Sequence, residues 1–305
     1  MPVKYRYHLG GRSYESAQTR VAAVLLAPTL LALVALYLIP IARVLVLSFT
    51  STNTITNVST FVGLKNFRYL FGNEVFLKSL GNTFVFTFFK LFAEVAVSLT
   101  LAVLLDTRVP MRKFLRISYF APVVVPVVAS STIWLWFYDP NLGPLNQMLG
   151  WMGLPGSKWI YSADTALMSI IIFSVWRGVG YDVVVFLSGL QGIPDSCMEA
   201  ARVDGASEWQ TFWRIKLPLM KPMVAFVLMM GFIGSFQSFT EVDVMTPGGG
   251  PNQSTLLVVN YIYEQAFGNA KMGRGAAASV VLFVIVFAVT YLQRIISERT
   301  ENDYA

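Results

Sequence analysis

The sequence predicts an all-α membrane protein with six transmembrane helices and both termini on the cytoplasmic side. Three observations carry this. Only 13% of the 305 residues are charged and 55% are hydrophobic, whereas a soluble domain carries about 25% charged residues. The apolar residues fall in runs close to the roughly 20 residues that cross a bilayer as a helix. The basic residues are distributed unevenly about those runs, as the loops of a membrane protein require.

The elements follow in order. Residues 1–20 are a basic cytoplasmic tail. Its polar stretch is long for the n-region of a cleaved signal peptide, and the apolar run behind it is too long for an h-region. That run, 21–42, is the first span, with Pro28 and Pro40 placed to kink it. With the external loop 49–78 it makes a unit, 21–78. A five-helix core, 79–295, comes next. Its first span, 79–105, is interrupted by Lys90 and Glu94 at i, i+4; intramembrane charges suggest a function or a face toward a partner subunit, and a local pair that neutralises itself is the favoured reading. The next, 117–138, has no formal charge. The external loop 139–163 is turn-rich, with Asp139-Pro140-Asn141, Gly143-Pro144 and Pro155-Gly156. Its Trp151, Trp159 and Tyr161 suit the outer membrane interface. The fourth span, 165–190, contains Arg177 and Asp182. A polar loop, 191–217, leads to the fifth span, 223–240. The loop 243–273 is broken by Pro247-Gly248-Gly249-Gly250-Pro251 before the sixth span, 275–293, and the tail 296–305. The runs are continuous and do not alternate, so helices are expected rather than a barrel.

With both termini inside, the cytoplasmic segments hold fourteen of the 23 Lys and Arg, among them Lys4, Arg6, Arg108, Arg112, Lys113 and Arg116; the external loops hold six. Asp106 and the four basic residues of 108–116 read as an ordinary positive-inside flank. The net charge of +6 is thus a topology signal and not a nucleic-acid footprint. The single cysteine, Cys197, excludes an intrachain disulfide. The single histidine, His8, has no metal-ligating cluster around it.

The polar loop carries the run Glu199-Ala200-Ala201-Arg202-Val203-Asp204-Gly205-Ala206, followed by Ile215, Leu217 and Pro218. Ser196 and Glu199 have capping-box spacing, which predicts a helix start there, with Asp195 adding charge at its positive end. Gly205 stands where a helix of about two turns would stop in a left-handed conformation. Ala200 and Ala201 keep its surface flat for a close partner. Ser207 and Gln210 repeat the capping-box spacing and predict a second helix. Inside the spans, Arg177 and Tyr181 share a face by their spacing of four, and Gln237, Thr240 and Glu241 are grouped near the outer end of the fifth. Such groups suit a hydroxyl-rich substrate or a polar cavity; they equally hold helices together at about 1 kcal/mol per contact.

The loop resembles that of the membrane permease subunits of binding-protein-dependent ABC importers, in the maltose- and glycerol-phosphate-type carbohydrate group, first-subunit branch. The family's EAA motif is Glu-Ala-Ala, three intervening residues, Gly, nine residues, then Ile-x-Leu-Pro. Glu199, Ala200, Ala201, Gly205, Ile215, Leu217 and Pro218 match it without a gap. Asp204 and Ala206, Asn82-Thr83, Gly143-Pro144-Leu145-Asn146 and Met245-Thr246-x-Gly248-Gly249-Gly250-Pro251 agree, with Pro247 a departure. The resemblance covers roughly residues 21–293. It implies the type I permease fold in a prokaryotic cell (inner) membrane. It also implies a coupling helix that docks on an ATPase, a second and non-identical permease, two ATPase subunits that hold ATP and Mg, and an extracytoplasmic substrate-binding protein. The chain itself has no Gly-x-x-x-x-Gly-Lys-Ser/Thr phosphate loop, so no cofactor and no catalytic residue is expected on it. A secondary transporter or channel would predict inverted repeats, and none is visible. A membrane-embedded enzyme would want a paired constellation, for which Glu94 and Asp182 offer little.

Overall fold

The structure, a computed structural model, describes residues 11–53, 58–107 and 112–302. Lys4, Arg6, His8 and Arg108 lie outside the described residues, as do the side chains of Arg112 and Lys113 and much of both tails. Helix α1, Gly11–Leu33, passes through a π turn, Val34–Leu38, into α2, Ile39–Ser48. The π turn sits just before Pro40, whose ring has no N–H to donate and crowds the carbonyl four residues back. The prolines therefore leave the span continuous, 28 residues long from Val21 to Ser48. The loop that follows holds an antiparallel pair, β1 Thr50–Asn53 and β2 Val58–Phe61, and the short α3, Lys65–Phe71. Nothing in its polar composition announced the strands.

Helix α4 runs over Glu74–Asp106 and starts where the Asn73 side chain accepts from the Phe76 amide at 2.9 Å. Helices α5, Arg112–Val124, and α6, Val127–Phe137, meet at a bend of 102°. Pro126 at that junction is extended at ψ 135° and caps α6, so the uncharged run 117–138 is not one straight span. Helix α7, Pro144–Trp151, lies in the next loop, and α8 covers Ala163–Gln191. The polar loop contributes α9, Asp195–Val203, and α10, Glu208–Thr211. A π turn, Phe212–Lys216, then leads to α11, Leu217–Leu219. Helix α12, Lys221–Phe236, departs from this stretch at 67°. After it come α13, Thr240–Met245, α14, Val258–Tyr263, and α15, Met272–Asn302. Among the described residues, four helices are long and apolar enough to cross a membrane, and up to six if each bent pair is one span.

Helices α4 and α8 form the most extensive pair. The Glu94 carboxylate lies against Gly178, where an added Cβ would overlap its Oε1. One aromatic-rich core joins Phe86, Trp134, Tyr138, Ile170, Phe173, Val242 and Leu257. A second joins Ala102, Leu105, Val183, Phe186, Leu190 and Met220 at the end of α4 and α8 nearest α9. Met220, 1% exposed, thus anchors the far side of the polar loop to the bundle.

Candidate functional site

Two places carry the residues singled out by sequence. The first is the α9 loop. Its helix begins at Asp195 with Pro194 as N-cap, and no side chain caps it. The Ser196–Glu199 capping box is therefore not formed. The extended proline already supplies the non-helical residue, and Ser196 falls inside the first turn, exposed. The C-terminus is as the sequence predicts. Gly205 has φ +73°, the Ala206 amide donates to the Ala201 carbonyl at 2.9 Å, and the Gly205 amide to that of Arg202 at 3.1 Å. This is the Schellman arrangement, which satisfies the last free carbonyls. The second predicted box is present: Ser207 Oγ accepts from the Gln210 amide, and Gln210 Oε1 from that of Ser207.

Of the α9 signature, only Ala201 is buried, at 4% exposure; Glu199, Ala200, Asp204 and Gly205 are exposed and Ala206 is half-buried. No atom lies within 4 Å of a Cβ built on Gly205. Val203 and Trp209 are 88% and 71% exposed beside it, an apolar surface that water alone would not favour. Lys216 Nζ reaches Asp106 Oδ2 at 3.5 Å and ties the loop to the end of α4. From sequence Asp106 is part of the basic flank only; its partner is 110 positions away, and no local spacing links them.

The second set lies on α8 and at the junction of α12 and α13, and the structure does not bring its members together: Tyr181 and Gln237 are exposed. Arg177 and Tyr181 lie a turn apart on α8, Arg177 half-buried and Tyr181 exposed. Arg177 has no ion pair among the described residues, and its buried Nε has no partner. Gln237, Thr240 and Glu241 do not share one helix. Gln237 ends α12, Phe239 breaks the chain at φ −141° and ψ −59°, and Thr240 and Glu241 open α13. Lys90 Nζ and Glu94 Oε2 form the expected local pair at 2.6 Å. Near the start of α4, Asn82 Nδ2 donates to the carbonyls of Gln253 and Leu256, and Thr83 Oγ1 accepts the Val258 amide at 2.9 Å. The Asn-Thr pair thus holds the glycine-rich loop against α4. Trp159 is not free at an interface: its Nε1 donates to Asn146 at 2.8 Å. Trp151 and Tyr161 are exposed. No group of His, Cys, Asp and Glu among the described residues could hold a metal.

Long apolar helices, proline-bent pairs and a capped helix displayed in a polar loop define a multi-span membrane permease. The chain belongs to the binding-protein-dependent transport system inner membrane component family, whose profile matches residues 94–302. It is 31% identical over 283 residues to the arabinooligosaccharides transport system permease protein AraP of Halalkalibacterium halodurans, covering 92% of this chain and 89% of that one. It is 32% identical over 282 residues to the sn-glycerol-3-phosphate transport system permease protein UgpA of Pectobacterium atrosepticum, covering 92% and 94%. A chain of a bacterial ABC transporter involved in the import of the acidic polysaccharide alginate shares the fold, with a TM-score of 0.83 at 21% identity over 94% of this chain and 99% of that one.

Proposed function

We propose that this chain is the permease subunit of an ATP-driven importer for a sugar, an oligosaccharide or a related polyol or glycerol-phosphate compound, and that it couples closure of an ATPase to alternating access. The observation that carries this is the α9 loop. A rigid helix, capped at Gly205 and bare on its Ala200 and Gly205 side, stands clear of the bundle yet is fastened to it by Met220 and Lys216. The carbohydrate relatives named above and the family resemblance of the loop support the cargo class.

In this reading each bent pair is one span, which makes six, and both termini and α9 are cytoplasmic. Of the coupling-loop residues Glu199, Ala200, Ala201, Asp204, Gly205 and Ala206, all but the buried Ala201 present the coupling surface for an ATPase, and Ala201 seats the helix on the bundle. The complex comprises a second, non-identical permease, two ATPase subunits with their ATP and Mg, and an extracytoplasmic substrate-binding protein, with no nucleic acid. Arg177, Tyr181, Gln237, Thr240 and Glu241 lie along the substrate path. The chain contributes no catalytic residue.

The test compares Gly205→Ala with Gly205→Glu in the detergent-solubilised complex, followed by an ATPase assay of what co-purifies. Alanine adds only the strain of a left-handed residue, about 1 kcal/mol, and leaves the surface open. Glutamate adds the same strain plus bulk on the docking side. Retained ATPase in the alanine variant and its loss in the glutamate variant is the expected outcome. Equal recovery in both, with normal uptake, would sink the docking role.

A further inference from the structure

The α8 face that carries Arg177 continues through Tyr181, Val184, Ser188 and Gln191, at spacings of four, three, four and three residues, which keeps them on one side of the helix. In the other direction the same face carries Phe173 and Ile170, fully buried and packed with Trp134, Tyr138 and Val242. Toward α9 the face opens. Val184, Ser188 and Gln191 line a cavity of about 550 Å³, closed opposite by Arg116 and Tyr119 of α5. Arg177 therefore stands between a buried aromatic stretch and, two turns farther along the same face, the lining of this cavity.

It is also the middle residue of the 29-residue α8, about 21 Å from either end, too far for its head group to reach the membrane surface. A cation at that depth needs a counter-charge or water. The nearby carboxylates do not supply one. Glu94 is held by Lys90, and Asp182 lies one turn from Gly178, on the flank of α8 that meets α4. No carboxylate lines the cavity, whose one charged group is the second arginine, Arg116.

We propose that the compound carried along this face is anionic, a sugar or polyol bearing a carboxylate, phosphate or sulfonate, and that Arg177 is the residue that selects for it. The inference rests on the importer reading. A guanidinium presents a planar donor fork that matches such oxyanions in bidentate fashion, Tyr181 offers a hydroxyl one turn on, and Arg116 adds a field of the same sign at the cavity mouth.

Phenylglyoxal modification of Arg177, read by mass spectrometry on the assembled complex in nanodiscs, tests this without relying on transport. The probes are galacturonate and glycerol 3-phosphate against galactose and glycerol. Protection of Arg177 by the anionic pair alone is expected. Equal protection by all four, or by none, overturns the proposal. So does an Arg177 that stays unreactive in the complex without any probe, because a carboxylate of the neighbouring permease would then be its partner. In uptake assays Arg177→Gln should raise KM for an anionic probe about tenfold or more, the value of a charge-assisted hydrogen bond, and Arg177→Lys should recover part of it. Co-purification of the ATPase is scored separately, so that its absence counts against the importer reading and not against Arg177.

Discussion

Lys90 and Glu94 show what one buried pair demands. Both are largely withdrawn from solvent, and Glu94 is lodged in the space that Gly178 leaves. Lys90→Met leaves a buried carboxylate without its partner and should cost about 3–5 kcal/mol; Lys90→Met with Glu94→Gln should recover most of it. Thermal unfolding of the detergent-solubilised protein checks both. The pair was legible from its i, i+4 spacing. The glycine that receives it was not, because nothing local in the sequence sets the register of α4 against α8. Asp139 behaves differently. It is half-buried, and its Oδ1 accepts the amides of Leu142 and Asn141 at 2.7 and 2.9 Å, which holds its carboxyl below the ordinary value of 3.8. A depressed carboxyl contributes fully above that ordinary value and loses its contribution as pH falls through the lower native one. Limited proteolysis of the 139–163 loop should therefore be unchanged between pH 8 and pH 5, and Asp139→Ala should raise cleavage at both.

At the scale of elements, the helices were legible because each is an apolar run of membrane length, and their interruptions were not. Pro122 and Pro126 both lie in the third run, yet only Pro126 turns the chain; Pro122 is accommodated inside α5. Composition does not distinguish the two, since the outcome depends on whether neighbours satisfy the freed carbonyl. The fifth run was extended to 240 because Gln237 to Thr240 gives no breaker signal, whereas the structure ends α12 at Phe236. In the α9 loop, Ser207 was read correctly and Ser196 was not: Pro194 two residues earlier took the cap position. Two tests follow. Thr83→Val removes the acceptor of the buried Val258 amide and should cost about 1–3 kcal/mol, read as a lower unfolding midpoint. Pro218→Ala permits the π turn Phe212–Lys216 to relax to α, which rotates α9 relative to α12 by about 100°. Spin labels at Ser196 and Ser118 should report a changed distance, and an unchanged one would show that the turn is held by packing alone.

For the molecule as a whole, the most apolar window of the Val21–Ser48 span has no residue buried within this chain, and aromatic side chains such as Phe88, Phe92, Phe283 and Phe287 stand exposed on α4 and α15. These surfaces are covered by lipid or by neighbouring subunits, so the chain purified alone should unfold at a lower temperature than the same chain co-purified with partners. One helix connects the glycine-rich loop to the α9 loop. At its start, Lys78, Asn82 and Thr83 of α4 hold the glycine-rich loop. At its end, Asp106 holds Lys216. The helix is unbroken over all its 33 residues, and Asn82 and Asp106 stand about 36 Å apart along it. A hydrogen-bonded helix resists stretching, so a displacement of Asp106 by Lys216 reaches Asn82 as a tilt of α4 as a whole and not as a signal relayed from side chain to side chain.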